Sequence, residues 1–308
     1  MPKTLTLHLG LKTDAVEYRY SYAWLFRLMA EEGVTHAQLG SFVELTQLPD
    51  EFFLDLRRQA EAHGVRISSV FTTHRELGGC LRQEPGWYEV TRRMHRRFIE
   101  VGALLGAETV GGNAGAILRD QMDFKEVGMR RYVDHMRDML AYAHQCGVPC
   151  LTNEPMSCLA EPPTLPGEMR SLAEELIEYH RAHPDTTAAF GYCTDVAHGY
   201  ADAEGRVIHD HLELLRAALP YTRTLHLKNT DRLYDATFGF TPEERQRGII
   251  QIEQVRDLVL AEADVLPTDT LIGYLEIGGP KLGRDYSDPR LERMLRESFR
   301  YLRQAWAA

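Results

Sequence analysis

A chain of 308 residues, 44% apolar and 26% charged, has the length and balance of a globular protein with a sizeable core. Its formal charge of −10 repels nucleic-acid phosphates and argues against DNA or RNA as a partner, while leaving room for a locally basic pocket that binds a small anion. No apolar run approaches the ~20 residues that span a bilayer, and residues 1–8 lack the apolar segment of a secretory signal. The five cysteines are odd in number and irregularly spaced, so reduced thiols and a cytoplasmic location are expected.

Short β-like runs alternate with amphipathic stretches from end to end. The first strand is read at residues 4–9, with His8 at its tip, followed by a helix over 22–32 and a strand at 35–39. A helix over 51–63 leads to a third strand at 66–71, after which His74 lies in a long loop. Next come a helix at 89–105, a strand at 108–111 running into the glycine-rich segment 111–115, a helix at 129–146 and a strand at 149–153. The second half adds a helix at 168–183, strands at 188–194, 223–227 and 270–275, and a last helix at 289–305. Gly33, Gly64, Gly106 and Gly147 stand where helices should stop, since glycine suits the left-handed position after a helix. Eight such units predict one domain over residues 1–308, a single (β/α)8 TIM barrel of the α/β class. A doubly wound sheet fits less well, because no Gly-x-Gly-x-x-Gly follows the first strand.

In a (β/α)8 barrel, chemistry gathers at the C-terminal ends of the strands. Four consecutive strands end there in metal-binding residue types: Glu154, Asp195, His226 and Glu276. Any one of them alone is more often a surface or capping residue. Four at matching positions point to an oxygen-rich divalent-metal site, suited to Mn²⁺, Mg²⁺ or Co²⁺ and less to Zn²⁺. His198, three residues beyond Asp195, is read as a substrate contact. Lys228 and Arg232, in the loop after His226, are candidates for binding an anionic group, with Lys228 nearly as well explained as a solvated ion pair. His8 and His74 are placed at the pocket mouth. Lys281 and Arg284 and the backbone of 112–115 are further anion candidates, each with an ordinary surface or turn role as the alternative.

These residues resemble the xylose isomerase-like TIM barrels, which include sugar-phosphate isomerases/epimerases and ketose 3-epimerases. The resemblance covers nearly the whole chain and is carried by Glu154-Pro155, Asp195-x-x-His198, His226 with Arg232 six residues on, and Glu276. It implies one divalent ion, Mn²⁺ before Mg²⁺, Co²⁺ or Zn²⁺, held by Glu154, Asp195, His226 and Glu276. It also implies that the two glutamates form the catalytic acid/base pair, that His198 and Arg232 touch substrate, and that the protein is a homo-oligomer. The family's further substrate-binding glutamate, six residues after the first metal ligand, is Ala160 here, which weakens the case for a free hexulose. Together with residues 8–13 and 74–79, the chain looks most like the tetrulose-phosphate racemase branch of erythritol catabolism.

The implied reaction inverts the carbon beside a ketone through a cis-enediolate, converting L-erythrulose 1-phosphate (a tetrulose 4-phosphate) to its D form. A free-ketose 3-epimerase or an aldose–ketose isomerase would use the same intermediate. An endonuclease-IV-like DNA repair enzyme shares the barrel but needs more histidine ligands and basic loops. A sugar-binding barrel without chemistry is disfavoured by the intact Glu/Asp/His/Glu set.

Overall fold

The computed structural model describes residues 3–17, 19–40, 46–72, 75–278 and 288–307. Eight parallel strands close into a barrel: β1 (Thr6–Lys12), β2 (His36–Gly40), β3 (Arg66–Thr72), β4 (Thr109–Gly112), β5 (Cys150–Asn153), β6 (Ala189–Asp195), β9 (Thr222–Leu227) and β10 (Thr270–Leu275). Around the ring they run β1-β10-β9-β6-β5-β4-β3-β2, with β2 paired back onto β1. The intervening strands β7 (Tyr200–Ala201) and β8 (Val207–His209) form an antiparallel hairpin beyond β6, too short to register as a sequence periodicity.

Helices α1 (Tyr22–Glu31), α2 (Asp50–Ala62), α3 (Trp87–Leu105), α4 (Lys125–Cys146), α5 (Pro166–Ala182), α6 (His211–Ala218), α7 (Pro242–Arg247), α8 (Ile252–Ala261) and α9 (Asp288–Ala305) follow the strands in the order of a (β/α)8 TIM barrel. Phe26, Phe53, Phe98, Leu140, Leu176, Phe299 and Trp306 are buried in the core shared by strands and helices. Gly33, Gly64, Gly106 and Gly147 all have positive φ, as helix-ending residues at those places require.

The first strand departs from expectation. It runs to Lys12, not to Leu9. Gly10 looks like a strand end in sequence, but in the barrel it makes room for the Tyr274 ring, which a side chain at that position would strike. His8 therefore lies within β1, level with Ile272, and its ring rests 5.1 Å from that of His36. Lys12 takes the tip that His8 was expected to hold.

The seam between the ends of the chain is tied on the outside. Arg296 and Arg300 of α9 both reach Glu32 Oε1 at 2.9 Å, and Arg296 also reaches Glu31 at 2.6 Å. Trp306 donates from Nε1 to the His8 carbonyl at 2.9 Å.

Candidate metal centre

Backbone pairing carries on past the strand ends and holds the ligand-bearing tips. Glu154 N donates to Gly112 O, Val196 N to His226 O and Glu276 N to Leu227 O, at 3.0–3.1 Å. Asp195 is the register partner of His226, and the ring order places β5, β6, β9 and β10 side by side. Single ligand atoms from Glu154, Asp195, His226 and Glu276 consequently lie within 4.8 Å of one another. Donors around one ion at roughly 2.1 Å must stand at about that mutual spacing or closer. Glu154, Asp195 and His226 are buried, and Glu276 is nearly so.

The contacts give each group an orientation. His226 Nδ1 faces the carboxylates, 2.8 Å from Glu154 Oε1 and 3.3 Å from Glu276 Oε2. Asp195 accepts the Ala197 amide on Oδ1 at 2.8 Å, which turns Oδ2 toward Lys228 Nζ at 2.6 Å. Lys12 Nζ pairs with Asp14 and lies 3.1 Å from Glu276 Oε1. Burial alone would lower the pKa of both lysines. Asp14 and Glu276 outweigh it for Lys12, and Asp195 and Glu276 for Lys228, so both are raised above the usual lysine value. Glu276 is held well below the usual carboxylate range: burial opposes ionisation, but Lys12, His226 and Lys228 overcome it.

The charges in direct ionic contact here do not balance among themselves. Asp14, Glu154, Asp195 and Glu276 bring four negative charges, while Lys12 and Lys228 bring two positive ones. Burial opposes protonation of His226, but Cys193, Glu276 and Glu154 outweigh it and raise its pKa well above the usual imidazole value, so a divalent cation at Nδ1 would take the place of that proton and match the two remaining charges. Three carboxylates and one imidazole in a buried cleft make a donor set that such an ion fits.

The expected substrate contacts are distributed unevenly. His198 and Lys228 stand beside the cluster. His198 Nδ1 donates to Pro155 O at 2.7 Å, and Nε2 lies 3.2 Å from Lys228 Nζ and 3.3 Å from Asp195 Oδ2. Lys228 is thus a buried partner of Asp195, not a solvated surface lysine. Arg232 is exposed on the turn that follows β9. His8 is not brought to the cluster, because its place in β1 is four residues short of the tip. His74, Lys281 and Arg284 lie outside the described residues. The glycines at 111–115 are accounted for by packing: a side chain on Gly111 would strike Thr152, one on Gly112 would meet Thr72 O, and one on Gly115 would strike Gly78.

Sequence reasoning passed over Lys12, although its signal was present. Leu5, Leu7, Leu9 and Leu11 alternate without a break with Thr6, His8, Gly10 and Lys12, and that period of two carries the strand past the glycine.

The model of the family described as "Xylose isomerase-like TIM barrel" matches residues 26–269. The chain belongs to this family. Among solved xylose isomerase-like barrels and their neighbours, it is similar to a putative xylose isomerase from Rhodospirillum rubrum, with a TM-score of 0.75 and 17% identity over 97% of this chain and 99% of that one. It is similar also to a D-psicose 3-epimerase from Clostridium cellulolyticum, with a TM-score of 0.68 and 16% identity over 97% and 99%. A probable 3-DHS dehydratase from Bacillus anthracis gives a TM-score of 0.66 and 14% identity over 96% and 98%. At such identities these likenesses concern the fold of the xylose isomerase-like barrel. No curated protein matches the chain in sequence.

Proposed function

We propose that the protein is a divalent-metal-dependent sugar epimerase or isomerase that moves a proton on the carbon beside a ketone. The observation that carries this reading is the convergence of two glutamates on the face of one buried imidazole, His226 Nδ1. Glu154, Asp195, His226 and Glu276 would hold the ion, Mn²⁺ in preference to Mg²⁺, Co²⁺ or Zn²⁺. Bound there, the ion supplies Lewis acidity toward the ketone oxygen, which makes the adjacent C–H easier to ionise. One glutamate takes that proton from one face of the sugar, and the other returns a proton from the opposite face. Their roles exchange when the reaction reverses. His198 Nε2 and Lys228 Nζ, on the same side of the cluster, hold substrate oxygens.

Membership of the family and likeness to two solved structures, a D-psicose 3-epimerase and an L-ribulose 3-epimerase, support a sugar as substrate. The finer reading is racemisation of a tetrulose phosphate, L-erythrulose 1-phosphate to its D form, in erythritol catabolism. It is supported by Arg232, exposed on the turn after β9, and by Ala160 at the position of the family's further glutamate, with Glu161 one place later. A DNA-repair role finds less support, since the cluster contains a single histidine among the described residues.

The test is ¹H NMR in D₂O with a panel of ketoses and ketose phosphates plus Mn²⁺ or Mg²⁺. Substrate-dependent loss of one carbon-bound proton is expected for the wild type and is expected to vanish in both Glu154→Gln and Glu276→Gln. Exchange retained in both variants removes the two-glutamate mechanism. For the phosphate, Arg232→Ala should raise KM for the phosphorylated ketose while sparing any unphosphorylated one. An unchanged KM takes Arg232 out of that role.

A further inference from the structure

Beneath the cluster, in the barrel interior, lies Gln38 of β2, which is fully buried and has a separate partner for each amide atom. Its Nε2 donates to Ser69 Oγ at 3.1 Å and points at Cys193 Sγ at 3.8 Å. Ser69 Oγ also receives Thr109 Oγ1 at 2.8 Å. The amide oxygen, Oε1, lies 2.7 Å from His226 Nε2. Cys193 Sγ also lies 3.3 Å from His226 Nε2, but an amide oxygen only accepts, so Nε2 carries a proton and donates it to Gln38 Oε1, with the sulfur as a weaker second acceptor.

This fixes which nitrogen can serve as a ligand. A neutral imidazole protonated on Nε2 has its lone pair on Nδ1, and Nδ1 is the atom facing Glu154 and Glu276. With the amide reversed, its NH₂ would face the imidazole and favour the tautomer that has no lone pair toward the carboxylates. Ser69 and Cys193, both able to accept from the amide nitrogen, draw it away and keep the oxygen toward the ring. The Phe71 ring stands edge-on to His226, with centroids 4.8 Å apart at 89°, and confines the imidazole plane.

We propose that Gln38 is a positioning residue of the metal centre, locking His226 in the tautomer and orientation that present Nδ1 to a divalent ion. The inference rests on the metal reading of the cluster and adds to it a residue that touches neither ion nor substrate. Partners of this kind commonly alter affinity for the ion, because they set the direction and basicity of the ligand lone pair.

The test measures Mn²⁺ affinity by competition with a metallochromic chelator for wild type, Gln38→Leu and Gln38→Glu, with circular dichroism to establish folding. Gln38→Leu is expected to weaken Mn²⁺ binding about 10- to 100-fold, whereas Gln38→Glu, whose carboxylate can only accept, should stay within about threefold of wild type or bind more tightly. A merely structural glutamine would not separate the two variants in that order. Gln38→Leu binding as tightly as wild type, or Gln38→Glu binding as weakly as Gln38→Leu, overturns the proposal. Should Gln38→Leu fail to fold, ¹⁵N NMR of the imidazoles in Zn²⁺-loaded wild type decides instead: a proton on His226 Nε2 supports the lock, and one on Nδ1 overturns it. Wild type that binds no divalent ion overturns the metal reading itself, and this inference with it.

Discussion

Lys12 Nζ lies 3.1 Å from Glu276 Oε1, so the tips of the first and last barrel strands meet through an ion pair. The lysine is 1% exposed and also neutralises Asp14, which leaves little solvent to stand in for it. Removing one partner from a buried pair typically costs about 3 kcal/mol, since the other charge remains uncompensated. Lys12→Met should therefore lower the urea-unfolding free energy of the metal-free protein by roughly that amount. Added Mn²⁺ should recover part of the loss by neutralising Glu276. A change below about 0.5 kcal/mol would mean that the site tolerates the orphaned carboxylates by admitting water.

Ion binding should register as stability. A ligand that binds only the folded state contributes about 2.7 kcal/mol at a hundred times its dissociation constant. Thermal unfolding of wild type should accordingly shift upward with Mn²⁺ and return on addition of EDTA, while Asp195→Asn should respond weakly or not at all. An unshifted wild type would speak against the cluster as a metal centre.

Lys228 Nζ stands 2.6 Å from Asp195 Oδ2, on a carboxylate that would hold the proposed ion. A cation there opposes a second one. Lys228→Met should tighten Mn²⁺ binding several-fold while raising KM for substrate, a split visible by comparing chelator competition with steady-state kinetics. Weaker metal binding in this variant would show instead that Lys228 supports the ligand geometry.

Away from the site, His95 of α3 and His135 of α4 face each other in the helical layer, with His95 Nδ1 3.0 Å from His135 Nε2. Burial, aided by His135, holds His95 down to about 3, and burial with Arg92 nearby holds His135 to about 4. Both values lie below the unfolded value near 6.5, so the unfolded chain takes up protons that the folded one refuses. Their stabilising contribution is complete above pH 6.5 and declines as the pH falls from there toward 4. Urea midpoints should reveal a loss on the order of 3 kcal/mol for each histidine across that window, about 6 for the two together. A His95→Leu/His135→Met double variant should flatten the profile, and an unaltered acid dependence would assign it to other groups.

At the outer seam, Glu32 is 5% exposed and receives both Arg296 and Arg300. Glu32→Gln should cost about 1–2 kcal/mol, less at high salt because the Arg300 side chain is 59% exposed. Equal stability of variant and wild type would reduce these pairs to surface decoration.

The sequence made the barrel and its four candidate ligands legible for a common reason. Glu154, Asp195, His226 and Glu276 each end or follow an apolar run, and an ionisable group is costly to bury in a barrel unless it lies near a strand end where something can pair it. Lys12 escaped because glycine ordinarily weakens a strand, while here Gly10 is the space that Tyr274 fills. Gln38 could not be read from its neighbours, since its partner His226 lies 188 residues away and only closure of the ring brings them together. His8 was placed at the pocket mouth by the same early strand end, at Leu9, that hid Lys12. The β7–β8 hairpin left too short a pattern to detect, and the glycines of β4 admit both a ligand-binding and a packing account until Thr152 is seen against them.

Glu276 arrives on β10, the strand that also pairs with β1 to complete the ring. A chain still lacking that closure keeps all four donors on the adjacent β5, β6, β9 and β10, but it lacks Lys12, the partner of Glu276 Oε1. Under the proposed metal reading, shutting the ring adds a fixed lysine beside a carboxylate that would already face the ion.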